Sequence, residues 1–157
     1  MHVLSASKDG TIYVWNILGD SANPDDRLSY AADFNLDEPL TRAKWLTPTC
    51  IVATTTHGNV YTLELSRDSQ NAVCLSRPVK VYSTEDEVAV WDVAVFSKNS
   101  KQEVWLAEDS GKVTQLSLAS NEQISASKTV HVSIDALQSL VSPFPFLPFS
   151  NSLTSQP

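Results

Sequence analysis

The residues best equipped for chemistry in this chain are three histidines, His2, His57 and His131, two cysteines, Cys50 and Cys74, and a scatter of carboxylates. Metal binding needs such ligands clustered at short intervals, and these histidines stand apart from one another and from both cysteines. Neither cysteine has an evident basic neighbour to activate a thiolate. No Gly-x-Ser-x-Gly elbow, phosphate-cradling glycine loop or His-Glu-x-x-His helix occurs. Carboxylates are numerous enough for acid–base work, yet nothing places two of them in an enclosed pocket. The sequence therefore predicts no catalytic centre, no metal and no cofactor. What the carboxylates can do is attract cations. Among the carboxylates are the runs Asp37-Glu38 and Glu85-Asp86-Glu87, with Asp9 one residue and Asp109 two residues ahead of a glycine.

The elements that must position these groups repeat. The stretch Val3 to Ile17 reads as strand, tight turn, strand, and returns twice more. Aligned on the turn glycines Gly10, Gly58 and Gly111, the copies agree. Two residues on stand Ile12, Val60 and Val113; five on stand Trp15, Leu63 and Leu116; four back stand Ala6, Thr54 and Ala107. The glycines are 48 and 53 residues apart, a period suited to propeller blades with long loops. Glycine supplies the positive φ such turns require. Alternating segments rich in Val, Ile, Thr, Tyr and Trp predict strands throughout. They fall at 3–7, 11–17 and 28–34; at 40–46, 50–55, 60–65 and 79–83; and at 88–96, 103–108, 112–118 and 123–132. Residues 19–27 and 66–77 read as polar loops, and 97–101 as a turn. Residues 133–141 read as a degenerate strand or a short helix. Residues 142–157, rich in Pro, Phe and Ser, read as an irregular tail.

The first copy, Ser5-Ala6-Ser7-Lys8-Asp9-Gly10-Thr11-Ile12-Tyr13-Val14-Trp15-Asn16, resembles the WD40 repeat family, with Asn16 in the place of the terminal aspartate. Val90-Trp91-Asp92-Val93-Ala94-Val95-Phe96 is similar to the family's inner strand. The resemblance covers residues 2–132. The other copies depart from it: leucine replaces the tryptophan, and the Gly-His pair before the inner strand is absent. The family's buried His-Ser-Asp-Trp network is therefore not expected. The resemblance implies an all-β fold, an incomplete WD40-like β-propeller of about two full four-stranded antiparallel blades plus half-blades, followed by the irregular tail. Propellers use 4–8 blades, so this material implies a fragment or truncated form of a longer propeller, or a ring completed by another chain. The degenerate repeats and acidic loops are also similar to those of the propeller subunit of the methylosome, an arginine-methyltransferase complex.

In such a blade the second-to-third-strand turns and the blade-to-blade links emerge on one face. That face would collect Asp9, Asp37, Glu38, Glu85, Asp86, Glu87 and Asp109 against Lys8 and Lys112. The other face is nearly balanced in charge. Two readings of the negative face stand: a solvated rim, or a surface that steers a basic, Arg- or Lys-rich partner. Trp91, beside the Glu85–Glu87 run, is the aromatic candidate for contact. Trp15, Trp45 and Trp105 are expected in the core. The candidate partner-binding residues are thus Asp37, Glu38, Glu85, Asp86, Glu87, Trp91 and Asp109, in a non-catalytic scaffold within a larger complex. The alternatives are a piece of a catalytic propeller whose active residues lie elsewhere, and a truncated form with no function of its own.

Bulk composition narrows the partners. In 157 residues the net charge is -7, which argues against non-specific nucleic-acid binding. Hydrophobic residues make up 42%, enough for a folded core. No apolar run approaches the ~20 residues of a membrane span. The opening residues do not read as a signal peptide. Two reduced thiols and these absences give the expectation of a cytoplasmic or nuclear protein.

Overall fold

The computed structural model describes residues 1–19, 27–98, 101–118 and 124–131. The expectations for residues 20–26 and for the tail from 132 onward lie outside them. Among the described residues twelve strands form three antiparallel sheets. The first holds β1 (His2–Ala6), β2 (Thr11–Ile17) and β3 (Leu28–Asn35) in that order. The second holds β4 (Leu40–Thr47), β5 (Cys50–Thr55), β6 (Asn59–Arg67) and β8 (Val79–Ser83), with the short β7 (Val73–Leu75) also on β6. The third holds β9 (Val90–Lys98), β10 (Lys101–Glu108), β11 (Lys112–Leu118) and β12 (Ile124–His131). The described residues are thus all-β, in sheets of three, five and four strands in sequence order, as consecutive blades of a propeller.

The three repeat turns have one geometry. The amide of each glycine donates to the carbonyl three residues earlier: Gly10 to Ser7 at 3.1 Å, Gly58 to Thr55 at 3.2 Å and Gly111 to Glu108 at 3.0 Å. The glycines take φ of +94°, +73° and +77°, values that L side chains rarely adopt. The spacing seen in sequence is therefore a spacing of identical hairpins.

Alternation then sorts the side chains into two interfaces. Ile12 and Val14 of β2 meet Leu40, Ile51, Ala53 and Leu63 of the second sheet in one core cluster. Leu46, Cys50, Val52 and Val60 meet Val90, Val93, Val104, Leu106 and Leu116 in the other. The middle sheet is covered on both faces, which is why every residue of β5 is buried.

Three details depart from expectation. The predicted 66–77 loop contains β7, because Asp68 Oδ1 accepts from the Gln70 and Ala72 amides at 2.8 and 2.9 Å and folds the chain back. Both ends of the predicted 97–101 turn belong to strands, which run to Lys98 and begin again at Lys101; residues 99–100 lie outside the described ones. None of Trp15, Trp45 and Trp105 is fully buried. Trp45 packs at the margin of the first cluster. At the repeat position of Trp15, Leu63 and Leu116 are 0% exposed, each facing a preceding sheet. Trp15 lies on the face of the first sheet turned away from the second, beside Val3 and Tyr30, themselves 38% and 57% exposed. There it donates Nε1–H to Ser5 Oγ at 3.0 Å and meets the Tyr30 ring edge-on.

Candidate functional site

Three turns and two links gather at one end of the sheets. Backbone hydrogen bonds lace them together. Leu36 N donates to Gly10 O and Thr84 N to Gly58 O, each at 3.0 Å, which ties each link to the turn of its own sheet. Thr56 N donates to Pro39 O at 3.0 Å and Asp109 N to Ala89 O at 2.9 Å, which ties the same links to the turn of the next sheet. The connections thus form one continuous, strapped rim.

The rim holds all seven sequence candidates, in different settings. Glu38 is drawn inward: Oε1 accepts from Tyr61 OH at 2.6 Å and Oε2 from Asn59 Nδ2 at 2.9 Å, with His57 Nδ1 at 3.9 Å. Burial pushes its carboxyl up, but hydrogen bonds from Asn59, Tyr61 and Thr55 and the charge of Lys80 outweigh it and hold the group below its ordinary value. Burial, then the same bond to Glu38, raise the Tyr61 phenol to about 12. Glu85 pairs with Lys112 at 3.2 Å, and that bond raises the amine. Asp109 Oδ1 accepts the Trp91 indole N–H at 2.8 Å, which fixes the ring at the rim with the residue 38% exposed. Asp9 serves its own turn, accepting from Thr11 N at 2.8 Å; that bond lowers its carboxyl.

Asp37, Asp86 and Glu87 remain. All three are exposed, and none makes a side-chain hydrogen bond or ion pair among the described residues. All three hold left-handed backbone, with φ of 57°, 58° and 54°. Aspartate tolerates that region better than most residues, which suits it to two of the three places.

Sequence reasoning overlooked two buried carboxylates. Asp92 is 4% exposed and meets Arg42 Nε at 3.3 Å and Lys44 Nζ at 3.5 Å. Glu108 is 2% exposed and accepts from the hydroxyls of Thr114 at 2.6 Å, Ser110 at 3.3 Å and Tyr82 at 3.4 Å. Burial is the main reason the Tyr82 phenol is raised. The signal for both was phase: Asp92 alternates with Val90, and Glu108 with Val104 and Leu106. No group of three His, Cys, Asp or Glu side chains able to hold a metal ion occurs among the described residues. No helix among them is long and apolar enough to cross a membrane.

The chain matches the structure of the Dos1 propeller with a TM-score of 0.59 at 14% sequence identity, over 86% of this chain and 34% of that one. It spans about a third of the length of that protein. At this identity the likeness shows the fold, a β-propeller. No family model and no curated protein sequence matches the chain.

Proposed function

We propose that this chain is a non-catalytic WD40-like propeller scaffold. Its acidic rim docks an Arg- or Lys-rich segment of a protein partner inside a larger complex, in the manner of an arginine-methyltransferase cofactor. The Ser5–Asn16 motif and its two echoes support the WD40 reading. The observation that carries the docking reading is the set Asp37, Asp86 and Glu87: exposed carboxylates without partners on links laced at both ends. Charges held this way need little reorganisation to meet a cation. Trp91, fixed by Asp109 on the same rim and 38% exposed, offers an aromatic ring for the stem or head of an arginine.

Calorimetric titration with an Arg/Lys-rich peptide tests the proposal. Affinity should fall steeply as salt rises past physiological ionic strength, because the attraction is between exposed charges. Asp86→Asn with Glu87→Gln should weaken binding, while Asp68→Asn, on the opposite end, should not. Salt-independent binding, or no binding at low salt, overturns the docking reading.

A further inference from the structure

The segment Ser83-Thr84-Glu85-Asp86-Glu87 closes β8 and opens the link to the third sheet. Its two hydroxyls stand in a charge setting found nowhere else in the chain. The four residues after Ser83, and the four after Thr84, each include three carboxylates, and no other serine or threonine is followed by more than one.

The fold treats the two hydroxyls differently. Thr84 is 6% exposed, and its Oγ1 donates to Val88 O at 2.7 Å across the link. Ser83 is exposed, on the last rung of the ladder between β6 and β8, opposite Asn59. Its Oγ donates to Asn59 Oδ1 at 2.8 Å. It stands at the junction of the second and third sheets, away from the outer face of the first. A residue at the end of a ladder leaves it at little cost.

The carboxylates that follow face solvent. Asp86 and Glu87 are exposed on left-handed backbone, and the Glu85 side chain is 86% exposed beside Lys112. Measured from Ser83 they lie two, three and four positions on. An enzyme that modifies hydroxyls and has a basic substrate cleft selects its serine by such a charge pattern.

We propose that Ser83 is a phosphoacceptor for an acid-directed serine/threonine kinase. Ser83 Oγ attacks the γ-phosphorus of ATP, and a carboxylate of the kinase takes the hydroxyl proton. The bond from that phosphorus to the oxygen bridging it to the β-phosphate breaks, and ADP leaves. Thr84 shares the same run of acids but stays unmodified in the folded chain, because its hydroxyl is enclosed. The product adds about -1.5 to -2 charge beside Glu85 at pH 7. It also has no hydroxyl proton to give to Asn59. Asn59 Nδ2 donates to Glu38 Oε2 at 2.9 Å, so the change at Ser83 is passed through one side chain to a carboxylate of the preceding link. The proposal does not rest on the rim's docking role, since it is read with no basic peptide present.

The test incubates the full chain with ATP and the catalytic subunit of an acid-directed kinase, and maps the phosphate by mass spectrometry of proteolytic fragments. A synthetic peptide of residues 79–90 is the comparison. The folded chain should carry phosphate on Ser83 alone, and the peptide on Ser83 and Thr84. Ser83→Ala should remove the phosphate from the chain. Asp86→Asn with Glu87→Gln alters only exposed side chains and should slow transfer to Ser83 about ten-fold. Phosphorylation should also shift the side-chain amide resonances of Asn59. A folded chain left unmodified at Ser83, phosphate on Thr84 in its place, or an equal rate for the neutralised variant overturns the proposal. Asn59 resonances that stay in place overturn the relay to Glu38.

Discussion

Thr84 stands directly over Gly58: a β-carbon on that glycine would lie 1.9 Å from Thr84 Oγ1 and 2.4 Å from the Val88 carbonyl oxygen. The contact is structural on both sides, because Thr84 Oγ1 donates to Val88 O at 2.7 Å and so shapes the acidic 84–89 link. Gly58→Ala therefore meets a clash with backbone as well as an unfavourable φ of +73°. Together these should cost roughly 2–4 kcal/mol. Gly19 has nothing within 4 Å of the corresponding position, and Gly19→Ala should stay within about 0.5 kcal/mol of the parent. Urea midpoints of the two variants check the contrast.

Glu38 and Tyr61 make stability depend on pH at both ends of the scale. The folded carboxyl of Glu38 lies below its ordinary value. Its contribution is therefore intact above the unfolded value near 4.5 and lost as pH falls through the folded one. The folded phenol of Tyr61 lies higher than in the unfolded chain, at about 12 against 10.0. Its contribution is complete below pH 10.0 and lost as pH rises toward about 12. Glu38→Gln should flatten the acid limb of a melting-temperature profile and let Tyr61 ionise at lower pH. Phenolate absorbance during an alkaline titration reads the second effect directly.

What the sequence made legible was local. Gly10, Gly58 and Gly111 announce themselves because a positive φ and a period-two strand on either side are properties of a dozen residues. The rim candidates followed from those turns, and all seven do reach one end of the sheets. The sequence left open which of them are occupied, because their partners are distant in the chain. Glu38 is engaged by Asn59 and Tyr61, and Glu85 by Lys112. The Arg42–Asp92 pair bridges 50 positions and arises only when two inner strands stack side by side. The third sheet's first strand begins at Val90 rather than at 88 for a similar reason. Thr84 and Asp109 hold the carbonyls of Val88 and Ala89 in the link.

The two thiols should differ sharply in access. Cys50 is 6% exposed in the fully buried β5 and packs in the cluster with Val52 and Val60. Cys74 is half-buried on the short β7, its Sγ 3.1 Å from Ser66 Oγ. Maleimide or Ellman's reagent should label Cys74 in the folded chain and reach Cys50 only when the middle sheet opens. Mass mapping of the labelled peptides against denaturant checks this. Equal labelling rates at low denaturant would contradict the packing of β5 between two sheets.

The ion pairs separate by burial. Asp92 presents one oxygen, Oδ1, to Arg42, Lys44 and the Val93 amide, the last at 2.9 Å. Removing it leaves both cations able to reach water, since their side chains are 53% and 38% exposed. The loss should therefore fall below that of a fully buried pair, at about 1–3 kcal/mol for Asp92→Ala. Asp92→Asn keeps an acceptor for the Val93 amide and should lose less. Glu85, with a side chain 86% exposed beside Lys112, is the opposite case: screening and side-chain entropy cancel the attraction, and Glu85→Ala should leave the unfolding midpoint unchanged. A double-mutant cycle between Asp92→Ala and Arg42→Gln separates the pair from the rest of the Asp92 loss. A coupling near zero would mean that the Val93 amide and the packing of β9, rather than the contact between inner strands, account for the cost.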